Sequence, residues 1–407
     1  MEQNNNSLAQ NETPHESQNI RPARLASVDI VRGAVMILMA LDHVRDYFSN
    51  ARVSPLDLSQ TTVALFFTRW VTHFCAPAFI LLAGTSAFLW ASGRGKSKAE
   101  LARFLLTRGL WLVVLELTVV RFAWSFSLDY KVSLAQVIWA IGWSMIALTG
   151  LVFLPNWLTL TFATVMIAGH NLLDQISPGY NSFFGGLWIV LHQPGMIEPL
   201  PRHQLFVLYP LIPWIGVIAL GYTLGPLFLK EQSERRKWFL GIGLGLTLAF
   251  IAIRALNTYG DPIHWSEQQD GIFTFLSFIN VEKYPPSLLF LLVTLGPTLI
   301  ALALLDRPLS PLVRPVAIFG RVPLFFYVIH LFLIHALAAG LYFAQHGQAD
   351  WLFSITWLFG AQYPPDYGYG LPGVYLIWVG IVVAVYPLCK CFADYKLQHQ
   401  DWWLSYL

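Results

Sequence analysis

The repeated apolar runs constrain this chain more than any other feature. Stretches near 28–48, 64–91, 102–124, 133–154, 157–175, 205–229, 238–256, 286–305, 322–343 and 372–393 are dominated by Leu, Ile, Val, Phe, Ala and Trp. A helix needs about 20 mostly apolar residues to cross about 30 Å of hydrocarbon. Within that layer every backbone polar group must be bonded internally, which helices achieve one at a time. The runs therefore predict an all-α fold: a polytopic membrane helix bundle of about ten transmembrane helices. Composition agrees, with 56% hydrophobic and only 12% charged residues among 407, where soluble chains carry about a quarter charged.

Basic residues predict the orientation. The clusters Arg21/Arg24, Arg94/Lys96/Lys98/Arg103/Arg108, Lys230/Arg235/Arg236/Lys237, Arg307/Arg314/Arg321 and Lys390/Lys396 recur after every second run. By the positive-inside rule they face the cytoplasm, and so do both termini. The linkers on the other side are mostly long, aromatic and rich in Pro and Gly, with few Lys or Arg, and look built to hold something. Residues 1–26 are polar and lack an apolar core, so they predict a disordered tail. Residues 27–395 form one membrane domain, and 396–407 a short C-terminal tail. Lipid is the expected surroundings, with a multi-pass protein of a bacterial inner membrane as the default.

The net charge of +2 and the placement of the basic residues exclude nucleic acid as a partner class. Cys75, Cys389 and Cys391 have the spacing of neither a disulfide framework nor a zinc knuckle, and no metal is expected. Nothing in the sequence specifies the oligomeric state, and a homodimer is allowed.

The first run is framed by ionisable groups: Asp29 and Arg32 before its apolar middle, Asp42, His43, Arg45 and Asp46 after it. At 1.5 Å per residue His43 lies roughly 16 Å beyond Arg32 along a helix, so Arg32 belongs near the cytoplasmic face and His43 in the outer half. Asp46, three residues on, shares the face of His43. A carboxylate beside an imidazole, from Asp46 or Asp42, would set its tautomer and make it a better base. The same residues also suit an interfacial cluster in which Asp42, Arg45 and Asp46 pair together and His43 is merely hydrated.

Two further runs repeat the pattern. The second places Arg69 and His73 one turn apart in its outer half, with Pro77 a few residues deeper to bend the helix. The ninth carries Arg321 at its start, Tyr327 and His330 near its middle and His335 farther out. Histidines in a span face a bundle interior or a wet cavity, or tie helices together by hydrogen bonds. Glu116, five residues before Arg121, reads as structural. On the cytoplasmic side Arg32, Arg314 and Arg321 suit phosphate oxygens, although most nearby charges are explained by topology and lipid headgroups.

These segments resemble a known family. "RLASVDIVRGAVMILM" resembles the opening of the catalytic domain of the heparan-alpha-glucosaminide N-acetyltransferase family, and "YPPSLLFLLVTLG" and "FGRVPLFFYVIHLFLIH" resemble its bacterial relatives. Arg32, ten intervening residues and His43 also match a pattern of membrane acyltransferases that modify surface polysaccharides. The resemblance implies an integral-membrane acyltransferase that binds no permanent cofactor. It would use acetyl-CoA as co-substrate and an extracytoplasmic sugar or glycan as acceptor, with His43 in the catalytic position. In the lysosomal members the catalytic histidine would fall near Ser49–Pro55, where this chain has none. Acyl transfer with His43 as base is thus the expectation, without heparan glucosamine as an implied acceptor.

The expected site has Arg32, Arg321, Arg314 and Tyr327 on the donor and Arg45 and Arg69 on the acceptor. His43 is aided by Asp46 or Asp42, and His73 or His330 hydrogen-bonds the thioester carbonyl. An exporter of a small anion or lipid-linked sugar would line its path with the same residues, but no internal repeat of the kind found in many transporters is visible. A non-catalytic partner subunit, using the charged clusters for docking, is the other alternative.

Overall fold

The computed structural model describes residues 25–176, 178, 179, 182–359, 364, 366–399 and 401–406. The expected tail 1–26 lies outside them except for Leu25 and Ala26. Each of the ten apolar runs falls on a helix. The first half holds α1 (Ala26–Phe48), α2 (Val63–Trp70), α3 (Cys75–Ser92), α4 (Lys98–Leu115), α5 (Arg121–Ser125), α6 (Val137–Leu151) and α7 (Asn156–Gly169). There follow α8 (Phe183–Leu191), α9 (Leu211–Leu224), α10 (Gln232–Leu256), α11 (Gly271–Ile279), α12 (Leu288–Leu304), α13 (Arg314–Arg321), α14 (Pro323–His346) and α15 (Leu371–Gln398). The last of these runs into the expected C-terminal tail.

Among the described residues five helical segments are long and apolar enough to cross a membrane: Val63–Ser92, Leu211–Leu229, Gln232–Leu256, Pro323–His346 and Leu371–Gln398. The helices α6 and α12 are apolar but shorter, and α1 carries Asp29, Arg32, Asp42, Arg45 and Asp46. Apolar side chains project outward from α10 and α15, where Leu244, Leu248, Leu376 and Val383 are exposed. Such bands on a water-facing surface would be a large unfavourable patch, but against lipid they are the expected face. The chain is a multi-pass membrane protein.

Two breaks in the helices have local causes. Pro77 lacks an N–H and its ring crowds the carbonyl four residues back, that of His73. The chain takes a 3₁₀ turn at Val71–Phe74 between α2 and α3. A π turn over Glu116–Val120 joins α4 to α5. Glu116 is buried there and accepts from the Trp139 N–H, 3.2 Å away, at the start of α6. This satisfies an amide that the helix cannot bond itself, so Glu116 is structural, as expected.

A small sheet departs from the all-α expectation. Strands β1 (Val132–Ala135), β2 (Gly195–Leu200) and β3 (His203–Val207) lie in the order β1-β3-β2, with β1 parallel and β2 antiparallel to β3. The residues assigned to the starts of the 133–154 and 205–229 spans are strand instead. Alternation of Val132, Leu134, Phe206 and similar residues is masked in sequence by the apolar helices that follow, so period could not separate them.

Packing sets the position of α1, the helix with the ionisable frame. It lies against α3, α12, α13, α14 and α15. A Cβ at Gly33 would stand 1.9 Å from the Val316 carbonyl oxygen, and one at Gly320 1.9 Å from that of Asp29. Only glycine at both positions permits this backbone contact of α1 and α13.

Candidate functional site

A cavity of about 300 Å³ opens in the bundle between α1, the α2–α3 break, the sheet and the loop before α12. That is near the lower end of the ligand-pocket range of roughly 300–1,000 Å³. Its polar wall contains Asp42, His43, Arg45, Asp46, Arg69, Thr72, Gln136, Lys283, Tyr209, Tyr284 and Tyr327. Its apolar wall contains Met39, Phe79, Trp124, Phe206 and Trp357. The sheet brings Leu134 and Phe206 to the same side, and the residue after β1, Gln136, reaches the cavity beside them.

The last turns of α1 present Asp42, His43, Arg45 and Asp46 together, as helical spacing predicts. The partner of His43 differs from the expectation. Neither Asp42 nor Asp46 holds the imidazole. Arg45 lies 2.9 Å from Asp42 and 2.5 Å from Asp46, and Arg69 donates to the other oxygen of Asp42. Both carboxylates are thus occupied by arginines, whose forked donors compete better for them than a neutral ring does.

His43 Nδ1 instead lies 2.8 Å from His330 Nε2, and the two rings stack with centroids 5.0 Å apart at 14°. His330 Nδ1 in turn lies 2.8 Å from the carbonyl oxygen of Phe326. A carbonyl oxygen only accepts, so Nδ1 of His330 carries the proton. For two neutral rings Nε2 of His330 is then an acceptor and Nδ1 of His43 its donor. The tautomer that remains for His43 has a lone pair on Nε2. His43 retains 9% exposure and lines the cavity, whereas His330 is fully buried behind it. Trp124 and Tyr327 meet the His43 ring edge-on, at 5.0 and 6.2 Å.

His73 and His335 occupy other environments. His73 is buried against Phe290, with centroids 5.3 Å apart, and is not among the cavity residues. The 3₁₀ turn at 71–74 directs Thr72 to the cavity in its place. His335 lies 2.9 Å from the carbonyl of Ala123 and 3.1 Å from that of Leu352, a tie between α14 and its neighbours.

The arginines expected to bind the donor also separate. Arg32 donates to the carbonyl of Gly320 at 3.1 Å and to the Ser86 hydroxyl at 2.9 Å, and lies 3.9 Å from Asp29. Arg321 lies 3.6 Å from the other oxygen of Asp29. Their side chains keep 16% and 29% exposure, and Arg314 is exposed nearby at the start of α13. Arg32, Arg321 and Arg314 do not line the cavity. Buried Val35 and Met36 occupy the turns of α1 between Arg32 and His43, so these arginines and the cavity are set apart. Tyr327, grouped with those arginines by sequence, belongs to the cavity.

The sequence reading overlooked Lys283, Tyr284, Tyr209 and Gln136. Lys283 and Tyr284 come from the segment between α11 and α12 and meet α1 only in the folded chain. Arg69 reaches toward the Tyr284 hydroxyl at 3.5 Å, and the rings of Tyr209 and Tyr284 meet edge-on at 5.4 Å. A signal did exist: Lys283 is a lysine at the edge of the apolar run 286–305, in one of the linkers expected to carry few Lys or Arg.

A family described as heparan-alpha-glucosaminide N-acetyltransferase, catalytic, matches residues 24–260 of this sequence, more than half of the chain. No curated protein matches it. The matched segment contains α1 with Arg32 and His43, the α2–α3 break and the sheet, and ends before Lys283 and His330.

Proposed function

Because the chain belongs to the heparan-alpha-glucosaminide N-acetyltransferase catalytic family, we propose that it is a membrane acyltransferase that moves an acetyl group from cytoplasmic acetyl-CoA to a hydroxyl or amine of an extracytoplasmic sugar or glycan. The observation that carries this reading is the lone pair of His43 Nε2, directed by the His330–Phe326 relay and located on a cavity wall. A base must offer an unprotonated nitrogen to the group it deprotonates. The chain crosses the membrane about ten times with both termini in the cytoplasm, as its basic clusters indicate.

In the direct form of the reaction, Nε2 of His43 takes the proton of the acceptor hydroxyl or amine. The acceptor atom then bonds to the thioester carbonyl carbon, the C–S bond breaks, and His43 returns the proton to the departing thiolate. In the two-step form Nε2 itself attacks the thioester carbonyl carbon and the C–S bond breaks to release the thiolate; the acceptor atom then bonds to the acetyl carbon, the C–N bond to Nε2 breaks, and Nε2 passes the acceptor's proton to the thiolate. Tyr327, whose ring meets that of His43 edge-on, replaces His73 and His330 as the donor to the developing oxyanion, an interaction often worth about 3 kcal/mol.

Arg32, Arg321 and Arg314 hold the phosphates, with Asp29 keeping the first two in position. The thioester arm must part Val35 and Met36 to reach the cavity, so catalysis includes an opening step along α1. The test is thermal stability of the purified protein in detergent with acetyl-CoA, CoA and ATP. Stabilisation by micromolar acetyl-CoA that disappears in Arg32→Ala or Arg321→Ala is expected. Equal melting with and without acetyl-CoA overturns the reading.

A further inference from the structure

The charges of the cavity wall do not cancel. Arg45 and Arg69 are matched by Asp42 and Asp46, which they contact directly. Lys283 has no such counterpart: among the described residues its Nζ forms no hydrogen bond or ion pair. It lies over the face of the Tyr284 ring, with the nitrogen 5.2 Å from the centroid. Yet Lys283 is only 6% exposed and lines the cavity. An ammonium largely withdrawn from bulk water, with no anion in direct contact, is costly, and a long flexible lysine could otherwise extend to solvent. The site thus holds one uncompensated positive charge, and His43 adds none as a neutral ring.

We propose that the cavity takes its acceptor as an anion: a sugar-like unit whose carboxylate, phosphate or sulfate group is bound by Lys283, with the Tyr284 and Tyr209 hydroxyls beside it. The bound anion brings the charge of the site to balance. The volume suits one terminal unit rather than a chain of them, and the aromatic wall of Trp124 and Trp357 offers flat faces for an apolar sugar face. Lys283 thereby selects the acceptor and also orients its nucleophile toward His43, which lines the same cavity. The inference rests on the acyltransferase reading for the word acceptor, but an anion subsite stands on the charge count alone. It also assigns a role to a segment beyond the matched residues 24–260.

The test measures thermal stabilisation of the detergent-purified full chain by glucuronate, glucose 6-phosphate and glucose 6-sulfate, against neutral glucose and cationic glucosamine. At least one anionic sugar should stabilise the protein at concentrations where the other two do nothing, and the arm that responds identifies the anionic group. Lys283→Gln should weaken that binding at least ~30-fold, and Lys283→Arg should restore part of it. Should Lys283→Gln fail to fold, the comparison of charged and uncharged sugars on the unaltered protein still decides. Equal responses to all five sugars, or undiminished binding in a folded Lys283→Gln protein, overturn the proposal. Acetyl-CoA in the same assay separates the two readings. Stabilisation by acetyl-CoA but by no anionic sugar removes the subsite and leaves the acyltransferase, while the reverse leaves an anion-binding membrane protein.

Discussion

The imidazoles of His43 and His330, 287 residues apart in sequence, share a hydrogen bond of 2.8 Å. The Phe326 carbonyl fixes the proton on the far side of that pair, and so fixes which nitrogen of His43 is free. Replacing His43 by Ala should lower acetyl transfer by about 10²–10⁴-fold, the usual contribution of a general base. His330→Phe keeps the ring volume but removes the acceptor for Nδ1, so kcat should fall while acetyl-CoA binding persists. His330→Gln can still accept from His43 and should recover part of the rate. Steady-state kinetics with labelled acetyl-CoA checks the series, and unchanged kcat in His330→Phe would remove His330 from the mechanism.

Asp42 is pinned between Arg45 and Arg69 in the wall of the cavity. Substituting Asn removes the charge and leaves two arginines facing each other with one carboxylate. Breaking a buried pair in this way destabilises by about 3–5 kcal/mol. Removing Arg69 as well, in Asp42→Asn/Arg69→Met, should restore part of the loss. Melting temperatures of the single and double variants form the cycle that measures it.

The contact of α1 with α13 depends on Gly33 and Gly320, where a methyl group would meet a carbonyl oxygen at 1.9 Å. Gly320→Ala should force the helices apart, displace Arg321 from Asp29 and abolish stabilisation by acetyl-CoA, together with a fall in melting temperature. Gly245→Ala on α10, where nothing lies within 4 Å of an added Cβ, should do neither. The paired melts with and without acetyl-CoA separate a local effect on Arg321 from general unfolding.

At the start of α4 the side chain of Ser97 accepts from the Glu100 N–H, and Glu100 accepts from Lys96 at 2.7 Å and the Ser97 N–H at 2.9 Å. Those bonds, led by the Lys96 ammonium, lower the Glu100 carboxyl from 4.5 to about 2. A depressed carboxyl contributes stability above its unfolded value that is lost as pH falls through the folded one. The advantage of the wild type over Glu100→Gln should therefore be constant above pH 4.5 and vanish as pH falls toward 2. Melting temperatures of both proteins across pH 2–7 provide the comparison.

The sequence alone determined the helical membrane character, because a run of about 20 apolar side chains has few other favourable environments. It also placed Asp42, His43, Arg45 and Asp46 on one stretch of α1 and gave Pro77 its break, since helical period and proline sterics act within a few residues. Which of those groups would meet was decided only by the tertiary structure. Asp46 stands one turn from His43, but Arg45 and Arg69 hold the carboxylates and His330 takes the imidazole. Lys283 and Tyr284 reach the same cavity from a loop more than 200 residues downstream, and β1 pairs with β3, Val132 beside Gln204, across a shorter excursion of 72 residues. Local geometry repeats along a sequence and can be read from it. A partner across a cavity is chosen by competition among many distant donors and charges, and only the packed bundle resolves that competition.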